Sequence, residues 1–181
     1  MTEPPPPYRG EGPPALWHVS EDTSIRRFEP RRRAEHALDE PLVWAVDTRH
    51  LPLYWFPRDC PRATFWAVSA TSDEDVERFL GGNRSQRVHA VEPEWLERMR
   101  TAEVVAYRLP EEPFERWDRF WISRDPVEPL ELVELGDLVD RHERGRIELR
   151  AEPELLDLWD EVIASSLDYS GICLRNAKMR P

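Results

Sequence analysis

From Leu16 onward, short apolar runs rich in aromatic and β-branched residues alternate with turn and helix signals. Residues 16–20 (LWHVS), 42–46 (LVWAV) and 63–68 (ATFWAV) read as strands, because such side chains fit a pleated, packed surface. Asp47 closes the second run and suits an N-cap for the helical stretch after it. Ser72, followed by Asp73, Glu74 and Asp75, opens an acidic helix that runs to about Leu80 and stops at Gly81-Gly82. A strand over 87–91 precedes a helix over 93–101, whose first turn is suited by Pro93 and Glu94. Residues 104–109 read as a strand, 111–117 as a helical turn, and 120–123 and 130–135 as two further strands. A helix over 137–144 ends at Gly145, and 147–150 adds an edge strand. A last helix over 153–167 places Leu155, Leu158, Trp159, Val162 and Ile163 on one stripe. Strands outnumber helices, and most connections are too short for parallel crossovers. The pattern therefore predicts an α+β fold: a mixed, mostly antiparallel sheet with flanking helices.

Residues 1–14 break this pattern. They hold six of the 18 prolines and almost no large apolar residue, so burial cannot offset their ordering entropy. A disordered tail over 1–14 and a single globular domain over 15–181 are expected, since one domain typically spans ~100–200 residues. No run approaches the ~18 apolar residues of a membrane span, and the N-terminus lacks a secretory apolar core. The two cysteines, Cys60 and Cys173, are too few for a disulfide scaffold. A cytoplasmic protein without a membrane partner is the expectation. The net charge of −11 disfavours generic nucleic-acid binding. Against that background Arg26, Arg27, Arg31, Arg32 and Arg33 crowd one stretch, which reads either as a solvated loop balanced by acidic neighbours or as a phosphate-binding patch.

The sequence has no glycine-rich phosphate loop, G-x-S-x-G, H-E-x-x-H or C-x-x-C. His18, His36, His50, His89 and His142 show no metal-ligand spacing, so no metal is expected. Pro57-Arg58-Asp59-Cys60-Pro61-Arg62 is the unusual segment. Its prolines stiffen a turn, so that Arg58 and Arg62 are either preorganised for phosphate or carboxylate, or paired with Asp59 to hold the turn. Cys60 between them reads as a small buried hydrophobe or as a thiolate nucleophile with His18 or His50 as base. A histidine mid-strand, as His18 is, is more often a core residue than a catalyst.

Two resemblances bear on these residues. From Leu16 to Ala177 the chain resembles a bacterial family of uncharacterised proteins, through its HVSE start, PRDCPR turn, WISRDPVEPL stretch and SGICLRNA end. The run Leu16-Trp17-His18-Val19-Ser20, then Ile25 and Phe28, then Val43–Asp47 leading to Tyr54, also resembles the opening of ADP-ribosyltransferase-like domains. Trp121-Ile122-Ser123 and Pro126-Val127-Glu128-Pro129 are similar to a late stretch of some of them. That resemblance implies NAD as a substrate, with no tightly bound cofactor. It places His18 and Ser20 at the ribose, Tyr54 on the nicotinamide, and Arg58 or Arg62 at phosphate or acceptor. Phe120 stands where many such transferases carry their catalytic glutamate, and Glu128 is the nearest substitute for a carboxylate that stabilises the oxocarbenium-like transition state. RNA 2′-phosphotransferases of this superfamily use histidine and arginines instead, a set that His18, Arg58 and Arg62 would supply. Two readings emerge: an uncharacterised domain that binds NAD or another small-molecule nucleotide, with transfer secondary to binding, or a non-catalytic acidic interaction protein of unknown partner. They separate on whether His18, Tyr54 and an arginine line one cleft.

Overall fold

The computed structural model describes residues 3–32, 38 and 40–179, so Arg33 and His36 lie outside the described residues. The fold is α+β, with two sheets. The first has six strands: β1 (Leu16–Ser20), β2 (Val43–Asp47), β5 (Val105–Leu109), β6 (Glu115–Trp117), β7 (Phe120–Ser123) and β8 (Glu131–Glu134), in the order β6-β7-β2-β1-β5-β8 and antiparallel throughout. The second comprises β3 (Arg62–Trp66), β4 (Arg87–Val91), β9 (Glu148–Ala151) and β10 (Asp168–Ile172), in the order β10-β3-β4-β9, with only β4 and β9 parallel.

Alternation along β3 and β4 decides what covers each face of the second sheet. One face sends Ala63, Phe65, Val88 and Ala90 beneath α1 (Asp73–Leu80) and α4 (Leu155–Ile163), against Phe79, Leu80, Leu155 and Val162. The other belongs to the layer between the sheets, where Val91 joins Trp55, Phe56, Leu138 and Ala106 of the first sheet. Helices α2 (Trp95–Thr101) and α3 (Leu138–Gly145) close that layer through Met99 and Leu138. On the first sheet's opposite face, Phe28 packs with Val43, Val105, Tyr107 and Val127.

Local signals explain the helix ends. Ser72 accepts from the Asp75 amide at 3.2 Å and Gly81 takes a left-handed φ of 57°, so α1 is capped at both ends. Asp137 caps α3 through the Val139 and Asp140 amides, but the left-handed residue after the helix is Arg146, not Gly145. Gly145 serves close packing instead, since a Cβ there would lie 3.3 Å from the Trp55 ring. Asp47 caps a turn, accepting from the His50 amide at 2.9 Å and from His50 Nδ1 at 2.7 Å, ahead of a 3₁₀ turn at Leu51–Tyr54.

Two expectations are corrected. The helical turn expected over 111–117 is the strand β6, because Glu115, Arg116 and Trp117 form a hairpin ladder with β7. The last helix stops at Ile163, which is 43% exposed and off the buried stripe. The chain then turns into β10, which pairs along all five residues of β3 and covers its edge. Residues 3–14 form no helix or strand, but they lie against the fold rather than extending from it. Tyr8 meets the Trp55 ring edge-on at 5.2 Å, the Arg9 amide donates to Gly145 O at 2.9 Å, and Glu11 pairs with Arg49 at 2.8 Å. Charged and aromatic side chains between the prolines make these contacts.

Candidate functional site

The cleft begins where the ladder between β1 and β2 fails. β1 pairs with β5 along all five residues but with β2 only at Leu16 and Trp17. Beyond that point the strands part, and His18 fills the gap with its own hydrogen bond, Nδ1 to Trp44 O at 2.8 Å. A carbonyl only accepts, so Nδ1 carries a proton. The Phe28 ring, 4.7 Å away, holds the imidazole from one side.

Three lobes meet at His18. A cavity of about 370 Å³ is lined by Ser20, Glu21, Tyr54, Arg58, Arg62 and Cys173 together with His18. A second, of about 390 Å³, shares His18, Ser20 and Arg58 with it and adds Arg27, Arg31 and Trp44. A smaller aromatic slot of about 110 Å³ is walled by Trp17, Trp44, Tyr54 and Phe120. His18, Ser20, Tyr54, Arg58 and Arg62 thus line one cavity, although they come from β1, a 3₁₀ turn, a loop and β3.

The PRDCPR turn is clamped from two sides. Glu21 Oε1 accepts from the Arg58 amide at 2.7 Å, and Asn176 donates to Asp59 O at 2.8 Å, with Asp59 at a left-handed φ of 64°. Neither arginine pairs with Asp59. Arg58 is exposed and makes no ion pair among the described residues. Arg62 is buried, with Nε donating to Leu53 O and Nη1 to Cys60 O, each at 3.0 Å. Its guanidinium lies 4.7 Å from the Phe56 ring centroid and 5.7 Å from that of Tyr54. Two carbonyls and two rings solvate part of this cation, yet among the described residues no carboxylate pairs with it. Nη2 has no hydrogen bond there and is not among the sealed polar atoms, so its access is to the cavity. Burial lowers the Arg62 pKa, but a guanidinium starts so high that it stays charged.

Cys60 is fully buried, and desolvation pushes its thiol up to about 12 despite the nearby Arg62. It is a core hydrophobe rather than a nucleophile. Glu128 lines none of the three lobes: its side chain is 74% exposed, 3.7 Å from Arg27. Val127 turns inward to pair with Phe28, which sends its neighbour outward. Glu21, one residue past β1, does reach the cleft, where the Arg58 amide and, at 3.4 Å, Arg98 engage it; Asp59 lines the same lobe, and Asp22 and Glu29 line the second. Sequence reasoning missed Glu21, as it missed the aromatic slot, because Trp17 and Trp44 look like any strand tryptophan in one dimension. Among the described residues, no group of three or more His, Cys, Asp or Glu is placed to hold a metal ion, and no helix is long and apolar enough to cross a membrane.

Residues 17–177 match the model of a family of unknown function, DUF6886. The chain belongs to the DUF6886 family. No curated protein and no solved structure matches it. Every residue named in the three lobes falls inside the DUF6886 span, whereas Tyr8, Arg9 and Glu11 precede it.

Proposed function

We propose that this chain binds NAD or a related nucleotide in the cleft at His18. The observation that carries the reading is Arg62, a buried guanidinium without a carboxylate partner among the described residues, open to a cavity that Tyr54 and His18 also line. Burying an uncompensated charge is costly, and an anionic ligand offsets that cost. A phosphate on Arg62 leaves Tyr54 and the aromatic slot for a planar ring, and the His18 and Ser20 side chains for the ribose. The cavity is of the size usual for small-molecule sites, ~300–1,000 Å³.

The reading is one of binding. Transfer of ADP-ribose would call for a carboxylate at the developing oxocarbenium ion; Glu128 stands outside the cleft, and Glu21 anchors the Arg58 loop. An ADP-ribosyltransferase-like or RNA 2′-phosphotransferase-like activity would instead rest on His18 with Arg58 and Arg62.

Calorimetric titration with NAD and AMP tests the reading. Wild type binds at least one of them below millimolar concentration. Arg62→Met, which keeps most of the buried volume, loses a charge-assisted contact and weakens binding by ~10-fold or more, and the loss shrinks as salt rises. Tyr54→Ala weakens it through lost stacking, ~0.5–1.5 kcal/mol beyond area burial, and His18→Ala by ~0.5–1.5 kcal/mol. No binding by folded wild type at millimolar NAD or AMP overturns the proposal and leaves the acidic interaction protein as the better account.

A further inference from the structure

We infer that the cleft has a second anion subsite on the far side of His18, so that its ligand carries phosphates at two separate positions. This rests on the nucleotide reading above and goes beyond it, because a single phosphate or pyrophosphate on Arg62 leaves the second subsite empty.

The segment that looked like a solvated arginine loop is pinned at Phe28 and at Arg31 to residues that flank strands of the first sheet. Phe28 and Val127 exchange backbone hydrogen bonds of 2.7 and 2.9 Å, and Arg31 and Leu42 exchange another pair of 3.1 and 3.2 Å. Between these bridges the Phe28 side chain is buried against His18. The arginines are thereby presented from a fixed backbone, and Arg27 and Arg31 line the 390 Å³ lobe together with Arg58.

Charge counting separates the three. Three carboxylates lie close by. Glu29 is 2.8 Å from Arg27, Glu128 is 3.7 Å from Arg27, and Asp22 accepts from the Ser24 amide and hydroxyl at 2.8 and 2.6 Å. Arg27 is therefore neutralised. Asp22 lines the lobe and keeps its charge, held below the usual carboxylate range by its Ser24 hydrogen bonds and, to a lesser degree, by Arg58. Neither Arg31 nor Arg58 makes a close ion pair among the described residues. With Arg27 matched to Glu29, two guanidinium groups, Arg31 and Arg58, face this cavity against one remaining lining carboxylate, Asp22, in a protein whose net charge is −11. Arg58 lines both large lobes and joins this subsite to that of Arg62. Planar, bidentate donors of this kind suit phosphate oxygens.

The test compares AMP with adenosine 3′,5′-bisphosphate by calorimetry at low and high salt. The bisphosphate binds ~10-fold or more tightly at low salt, and the advantage narrows at high salt. Arg31→Ala, an exposed position whose variant is checked by an unchanged Tm, abolishes that advantage and leaves AMP affinity as it was. Arg62→Met weakens both ligands. If AMP binds through Arg62 but the bisphosphate binds no more tightly, the second subsite is refuted and the nucleotide reading stands. If Arg31→Ala weakens both ligands equally, the two subsites are not separate and the inference fails. If neither ligand binds, both proposals fall.

Discussion

His89 and His142 show how a side chain's surroundings set its protonation. Both are fully buried. His142 Nδ1 donates to Leu138 O at 2.6 Å, so its Nε2 accepts, and His89 Nδ1 donates to it at 2.9 Å. Both rings are thereby neutral, and burial is the main cause that holds the His142 pKa down at about 4 and that of His89 well below 6.5. In the unfolded chain each titrates near 6.5. The unfolded state therefore binds more protons below that pH. The stabilisation is complete above about 6.5 and is lost as pH falls towards 4. His142 alone contributes about 3 kcal/mol across that interval. Urea midpoints should be flat from pH 8 to 7 and fall steadily from 6.5 to 5, above the range in which Asp22, Asp47 and Asp75 are protonated. A constant midpoint down to pH 5 would show that the pair is not buried in neutral form. None of this was legible in the sequence, where the two histidines stand 53 positions apart and resemble any other polar residue.

At the scale of the element, α4 and β10 depend on a single missing side chain. A Cβ on Gly171 would lie 2.6 Å from both the Trp159 ring and Leu174 Cδ1, while Trp159 meets Tyr169 edge-on at 5.2 Å. Gly171→Ala should destabilise by ~1–3 kcal/mol through overpacking. Trp159→Ala should cost about 2–4 kcal/mol, less than for a fully buried tryptophan. Together they should cost less than their sum, because removing the indole removes much of the conflict. Chemical denaturation of the three variants checks this, and strict additivity would mean that the glycine and the indole do not meet. Strands were readable wherever β-branched and aromatic residues clustered, as in LWHVS, and helices wherever caps were explicit, as at Ser72. β10, Asp-Tyr-Ser-Gly-Ile, has neither signal. Its strand state comes from the edge of β3, a partner 106 positions away.

For the molecule as a whole, the proline-rich segment acts as a strap across the join between the sheets. Beneath Tyr8 lies Arg87, whose Nε and Nη1 are sealed without partners and whose pKa burial lowers to about 9. Removing residues 1–12 would strip the cover from Arg87 and Trp55 and unpair Arg49 from Glu11. The expected loss is about 2 kcal/mol or more, read as a lower Tm, with the cleft's ligand affinity unchanged. An unchanged Tm would mean that the strap merely rests on the surface. Prolines argue against a helix or strand here, but say nothing about docking. The cleft was legible as residue types, His18 with Tyr54 and the two arginines of PRDCPR. Its two-sided form was not, because the parting of β1 from β2 leaves no mark in either strand's pattern.

That β10 closes one edge of the second sheet has a consequence for the order of events during synthesis. All six strands of the first sheet lie within residues 16–134, so they leave the ribosome well before residue 168. The second sheet must wait, with β3 unpaired on one side until the last strand arrives from more than a hundred positions downstream. Long-range pairings of this kind are slow and leave a strand edge open to the wrong partner meanwhile. Ile172 and Cys173, which finish the wall around Arg62, come with that strand. A nascent chain whose residues 16–134 have emerged while residue 168 has not would thus carry an assembled first sheet and an unfinished pocket.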